Sequence, residues 1–175
     1  SVDAIRKIPK ADLHNHCLLG GKLGYMEKFY GKKIERFRAV NNGIQSINNW
    51  LGKTYRPVFN KPGAFDAAVE AAFLQAKADG VTVLEMSMDV MIPALLNITA
   101  EEVITALQKH HGDVAPEILF RPEIGLARNQ DVSLLLDSIK PFGDSGYFQS
   151  IDLYDDESAQ PIGNFTKIYR YARSR

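Results

Sequence analysis

The apolar positions of this chain follow two rhythms in turn. From Phe65 to Asp79 they recur every three to four residues, placing Phe65, Ala68, Val69, Ala72, Phe73 and Ala76 on one helical face, with Gly80 as the stop. Val81 to Ser87 then runs almost without a break in apolar character. That pattern predicts a strand buried on both faces, and Glu85 within it requires a partner. Thr99-Ala100-Glu101-Glu102 spells a capping box and opens a helix to about Lys109, with His110 and His111 in its last turn. Those two histidines read as cations near a helix C-terminus, with spare metal ligands as the alternative. Ile118-Leu119-Phe120 forms a third strand that Pro122 bends or interrupts. Asp131 to Ile139 is a short amphipathic helix, closed by Pro141 and Gly143. Tyr147 to Leu153 is a fourth strand, and Asn164 caps a last helix carrying Phe165, Ile168, Tyr169 and Ala172 on one side.

The first strand lies in Pro9-Lys10-Ala11-Asp12-Leu13-His14-Asn15-His16, before Gly20-Gly21. Period-two alternation puts His14 and His16 on one face, with Asp12 beside them. Two neutral imidazoles opening onto a turn are two corners of a metal site. Leu18 to Pro62 follows as a long connection with helical pieces around Gly24 to Phe37 and Gln45 to Leu51, anchored by Trp50. A connection of that length is either a lid or binding loop or a plain structural insertion.

Four repeats of strand then helix mean an α/β protein with a parallel sheet and right-handed crossovers. A doubly wound sheet and half of a (βα)8 barrel both satisfy that order. The first strand is not followed by a Gly-x-Gly-x-x-Gly turn, which argues against dinucleotide binding. In a barrel, chemistry sits at the C-terminal ends of the strands. His14 and His16 lie there, and so do the carboxylates of Asp152, Asp155, Asp156 and Glu157.

Composition narrows the partners. The 175 residues balance 21 Lys+Arg against 21 Asp+Glu, with 45% hydrophobic residues. Such a chain has a real core, and nothing in it asks for nucleic acid or a membrane. One cysteine, Cys17, allows no internal disulfide. No signal-like or spanning apolar run is found, so a cytoplasmic setting is expected. Asn97-Ile98-Thr99 and Asn164-Phe165-Thr166 match the glycosylation sequon but read as helix starts.

The Pro-Lys-x-x-Leu-His-x-His string resembles the first strand of the adenosine deaminase-like branch of the metal-dependent amidohydrolases. That family's two histidines bind a catalytic zinc at the mouth of a (βα)8 barrel. The resemblance implies that residues 1–175 are the N-terminal half of one such barrel, four βα units with 18–62 as a lid-like insertion. It implies His14 and His16 as zinc ligands. It also implies hydrolytic deamination of a purine-like substrate of the adenosine or adenine type, with ammonia leaving. Ile151-Asp152-Leu153-Tyr154-Asp155-Asp156-Glu157 is similar to the family's Asp-Leu-x-Gly-x-Glu segment, which makes Asp152 and Asp155 the substrate-facing residues; Asp155 stands where the family keeps glycine.

Two departures point away from adenosine itself. Cys17-Leu18-Leu19-Gly20 replaces an aspartate that holds ribose in the family, and Ser87 stands where many members have arginine. The family's remaining zinc ligands and its acid–base glutamate come from the second half of the barrel. Residues 1–175 therefore contain no catalytic acid–base residue, which is expected beyond Arg175, and this stretch alone is expected to be inactive and to self-associate. Phosphoesterases of the PHP type also open with Asp-Leu-His-x-His. Under that alternative Arg128 is the only obvious phosphate-binding residue. A non-catalytic half-barrel acting as a binding or assembly module is the other alternative.

Overall fold

The computed structural model describes residues 1–38 and 43–175. β1 (Lys10–His16), β2 (Val81–Asp89), β3 (Leu119–Ala127) and β4 (Ser150–Tyr154) form one parallel sheet in the order β1-β2-β3-β4. Helices connect consecutive strands, so the architecture is four βα units, half of a (βα)8 barrel.

β2 and β3 run in unbroken register from Val83 opposite Leu119 to Asp89 opposite Gly125. Leu84, Met86 and Met88 are buried in the main core, whereas Val83, Glu85 and Asp89 are only half-buried. β2 is therefore two-faced rather than buried on both sides as its apolar run predicts. One face meets the helices and the other lines the concave side of the sheet. Glu85 finds its partner across that side in Arg121, at 3.3 Å.

Pro122 does not interrupt β3. Its carbonyl accepts from Gln149 N at 3.0 Å, just before β4 begins at Ser150. The amide proton that proline lacks would point to the same side, where no ladder has yet started.

The Ala64–Ala78 helix packs on the sheet, and Gly80 follows it at φ +76°. A Cβ there would fall 2.0 Å from the Arg6 carbonyl oxygen, so the stop needs glycine on two counts. Thr99 closes the expected capping box, and its helix extends from Ala100 to Val114. His110 and His111 are structural: Nε2 of His110 lies 3.1 Å from Asp66 Oδ1, and Nε2 of His111 lies 2.9 Å from the Ile118 carbonyl. The last helix, Thr166–Arg173, is preceded by a 3-10 turn, and Phe165 occupies its N-cap. Asn164 instead donates to Gln160 Oε1 at 3.1 Å.

Residues 18–62 leave the barrel between β1 and β2. Among the described residues they form the Leu23–Tyr30 and Ile44–Trp50 helices and a turn ending at Asn60. Their Met26, Ile34, Tyr55 and Val58 make a second buried cluster on Ala67, Ala68 and Ala71 of the Ala64–Ala78 helix. Glu27, 8% exposed, anchors the loop after the first of these helices by accepting from Ile34 N, Lys33 and Arg36 at 3.1, 3.3 and 3.2 Å. Among the described residues no helix is long and apolar enough to cross a membrane.

Candidate metal centre and cavity

A register shift between Asp12 and Asn15 in β1 shapes the site. It brings the rings of His14 and His16 together edge-on, with centroids 4.9 Å and Nε2 atoms 3.2 Å apart. Two nitrogens on a tetrahedral zinc at about 2.0–2.1 Å stand about 3.3–3.4 Å apart, so the pair is spaced for one such ion. The same shift removes Asp12 from the face it was expected to share. Asp12 pairs in register with Leu84, a core position, and accepts from Asn15 Nδ2 at 2.8 Å.

Asp152 on β4 completes the cluster. One ligand atom from each of His14, His16 and Asp152 lies within 4.8 Å of the others. Nδ1 of His14 is 4.0 Å from Asp152 Oδ1, and Asp152 Oδ2 is buried without a hydrogen-bond partner. A buried carboxylate oxygen left unpaired is costly unless a cation or ligand meets it. Two imidazole nitrogens and a carboxylate oxygen are a donor set that zinc accepts. The residues present therefore fit the ion that the β1 string implies.

The surroundings favour the metal-ready form. His16 has its pKa lowered, chiefly by burial, with Asp152 pulling the other way. Neutral imidazole is the form that ligates. The His16 ring meets Tyr154 edge-on at 4.9 Å, and the Tyr154 hydroxyl donates to Asp89. Tyr154 is held firmly protonated, first by burial and then by the Asp89 charge. Gly125, between Asp89 and Asp152 in register, makes the room: a Cβ there would lie 2.5 Å from Ser87 Oγ and 3.3 Å from Asp89 Cα. Glu123, one row below, accepts from Ser150 Oγ at 2.7 Å, and burial raises its pKa. Asp89, Glu123 and Tyr154 escaped the sequence reading as site residues. Their signal was positional, since all three fall on the polar phase of their strands.

The acidic turn after β4 disperses. Asp156 accepts from Ser158 N and Oγ at 2.9 and 2.6 Å, and Glu157 is exposed. Asp155 adopts φ +79°, a conformation that suits glycine. Its carboxylate accepts from Asn48 at 3.1 Å and from Asn129 at 2.6 Å.

A cavity of about 470 Å³ lies between the rim of the sheet and residues 44–59. His16, Asp89, Tyr154 and Asp155 supply polar groups on the sheet side; Leu18 and Leu19 supply apolar wall beside the histidines. A larger open groove of about 680 Å³ runs along the Ala64–Ala78 and Ala100–Val114 helices and contains none of these site residues.

No protein-family model matches the chain. A protein of Treponema pallidum (strain Nichols) named as an adenosine/adenine deaminase is 26% identical over 176 residues, covering 98% of this chain and 58% of that protein. An amidohydrolase from Burkholderia ambifaria with bound Zn superposes with a TM-score of 0.71 at 21% identity, over 97% of this chain and 50% of its own. Adenine deaminase from Arthrobacter aurescens gives 0.72 at 17% identity, over 94% of this chain and 54% of its own. The chain thus spans a little over half the length of these proteins or less. The structural likenesses show the fold, and the named relative agrees with an adenosine deaminase-like N-terminal half-barrel.

Proposed function

We propose that this chain is the metal-bearing half of a zinc-dependent aminohydrolase acting on a purine-like base. The observation that carries the reading is the His14–His16 pair, spaced for one ion, beside the unpaired Oδ2 of Asp152. His14, His16 and Asp152 would hold the zinc. When bound, zinc acts as a Lewis acid that lowers the pKa of water from about 15.7 toward about 7. The chain's own residues do the rest of what is assigned to it. Burial keeps His16 neutral, and the Tyr154–Asp89 bond fixes the ring that packs on His16. Within the connection after β1, residues 44–59 serve as the lid that shields the cavity from water. Asp155 lines that cavity, whereas Asp152 belongs to the histidine cluster. The acid–base glutamate is assigned to a part of the protein outside residues 1–175.

The phosphoesterase alternative asks for free basic groups at the strand ends. Arg128 instead spends its Nε on the Gln160 carbonyl at 3.0 Å.

The apolar wall of Leu18 and Leu19 sets the expected preference. A site built to hydrogen-bond a hydroxyl discriminates strongly for it, and an apolar wall lacks that means. Ammonia release by the full-length, zinc-loaded protein is expected to show kcat/KM for adenine at least about tenfold above that for adenosine. A preference for adenosine would refute this substrate assignment. Absence of zinc-dependent ammonia release from every aminopurine tried would refute the deaminase reading itself.

The half-barrel is also expected to associate when expressed as residues 1–175. β1 and β4 each leave one edge unpaired among the described residues, and Leu13 and Leu119 are 60% and 54% exposed. Open edges and uncovered apolar side chains both template pairing with another chain. Light scattering after size exclusion should give a mass above the 19.5 kDa of one chain. A monodisperse monomer at micromolar concentration would contradict it.

A further inference from the structure

Asp155 sits in a backbone conformation that an aspartate adopts at a cost, at φ +79°. Something must hold it there. Its carboxylate joins two elements that are far apart in the chain: Asn48 in the Ile44–Trp50 helix donates to Oδ1, and Asn129 after β3 donates to Oδ2. Asp156 N donates to Oδ1 as well, at 2.9 Å. Both oxygens are therefore committed to protein donors, although the residue lines the cavity. The Ile44–Trp50 helix contributes Ile44, Ile47 and Asn48 to the opposite wall, next to Leu51, while Tyr154 and Asp155 form the sheet-side wall. The Asn48–Asp155 bond spans the cavity's edge.

We infer that Asp155 is a positioning residue whose carboxylate latches the Ile44–Trp50 helix to the end of β4 and so sets the width of the substrate cavity. This rests on the reading of that cavity as the substrate site. The left-handed backbone turns the Asp155 side chain toward Asn48 and Asn129. A glycine would keep the turn and lose the latch. The charge-assisted bond from Asn48 ties the helix to Asp155, and the one from Asn129 fixes the same carboxylate to the turn after β3. The latch therefore governs substrate fit without touching the reacting atoms.

The test uses the full-length, zinc-loaded protein with Asp155→Gly and Asn48→Ala, read by amide hydrogen exchange, zinc content and adenine kinetics. Both variants should raise exchange across residues 44–50 by at least about tenfold, leave exchange in β2 unchanged, and keep zinc. Both should raise KM for adenine several-fold with kcat little changed, since the cavity and not the chemistry is altered. Unchanged exchange in both variants would overturn the latch. So would faster exchange with KM unmoved, which would make the tie merely structural. Loss of turnover in Asp155→Gly with residues 44–50 still protected would show direct contact with substrate and overturn it too. A wild-type protein that neither deaminates nor binds adenine would sink the functional reading instead, while the exchange comparison would still decide whether the tie exists. Isothermal titration calorimetry reads adenine binding independently of turnover.

Discussion

His16→Ala in the full-length protein is expected to abolish stoichiometric zinc and to lower deamination by at least about a thousandfold. A catalytic zinc generally uses three protein ligands. Of the donors this chain gathers, His16 is the more buried imidazole, and its Nε2 is 3.2 Å from that of His14. Its removal leaves His14, which is exposed, and Asp152. Metal content by mass spectrometry and ammonia release check the two halves of the expectation, and His110→Ala serves as the control that should keep its zinc. Stoichiometric zinc in His16→Ala would defeat the assignment. The pH dependence has a definite sign. Burial lowers the pKa of His16, so protons compete with zinc for it only below the ordinary value of about 6.5. In the metal-free protein the unfolded chain binds that proton first, so folding stability falls as pH drops from about 6.5 and levels off below the lowered pKa.

Phe73→Ala is expected to cost about 3–5 kcal/mol of folding stability. Phe73 is fully buried in the middle of the Ala64–Ala78 helix. Its ring meets Phe120 of β3 edge-on at 5.0 Å and stacks on His111 at 5.5 Å. The side chain thus joins helix, sheet and the neighbouring Ala100–Val114 helix, and none of these can close over the void without moving the others. Chemical denaturation of the full-length protein measures it through the midpoint at constant slope. A cost below about 1 kcal/mol would mean that the helices do not pack on the sheet as described.

Local features were legible in the sequence. The capping box at Thr99, the Gly80 stop, the strand-and-helix order and the His14–His16 spacing each depend on a few adjacent residues. What the sequence hid depends on neighbours across the sheet. Asp12 changes face because of a register shift that only pairing with β2 reveals. Pro122 is tolerated because β4 starts one residue late beside it, which no property of Pro122 announces. The motif places Asp152 near the end of β4, and only the curl of the sheet brings it to the histidines of β1. Asn164 loses the cap because a 3-10 turn precedes the helix and shifts its start by a residue.

The Ala64–Ala78 helix serves two cores with two sets of residues. Ala67, Ala68 and Ala71 belong to the cluster under residues 18–62, and Val69, Ala72, Phe73 and Ala76 belong to the cluster on the sheet. Changes confined to separate clusters combine nearly additively. Descendants of this chain can therefore rewrite residues 18–62, and with them the shape of what is admitted, while the spacing of His14, His16 and Asp152 is inherited untouched from the other side. The exceptions lie at the start of that stretch: Leu18 packs against both clusters, and a Cβ at Gly20 would fall 2.3 Å from Asn15 Oδ1, between the two histidines. These are the positions at which a drift in substrate taste would first be felt by the candidate metal centre.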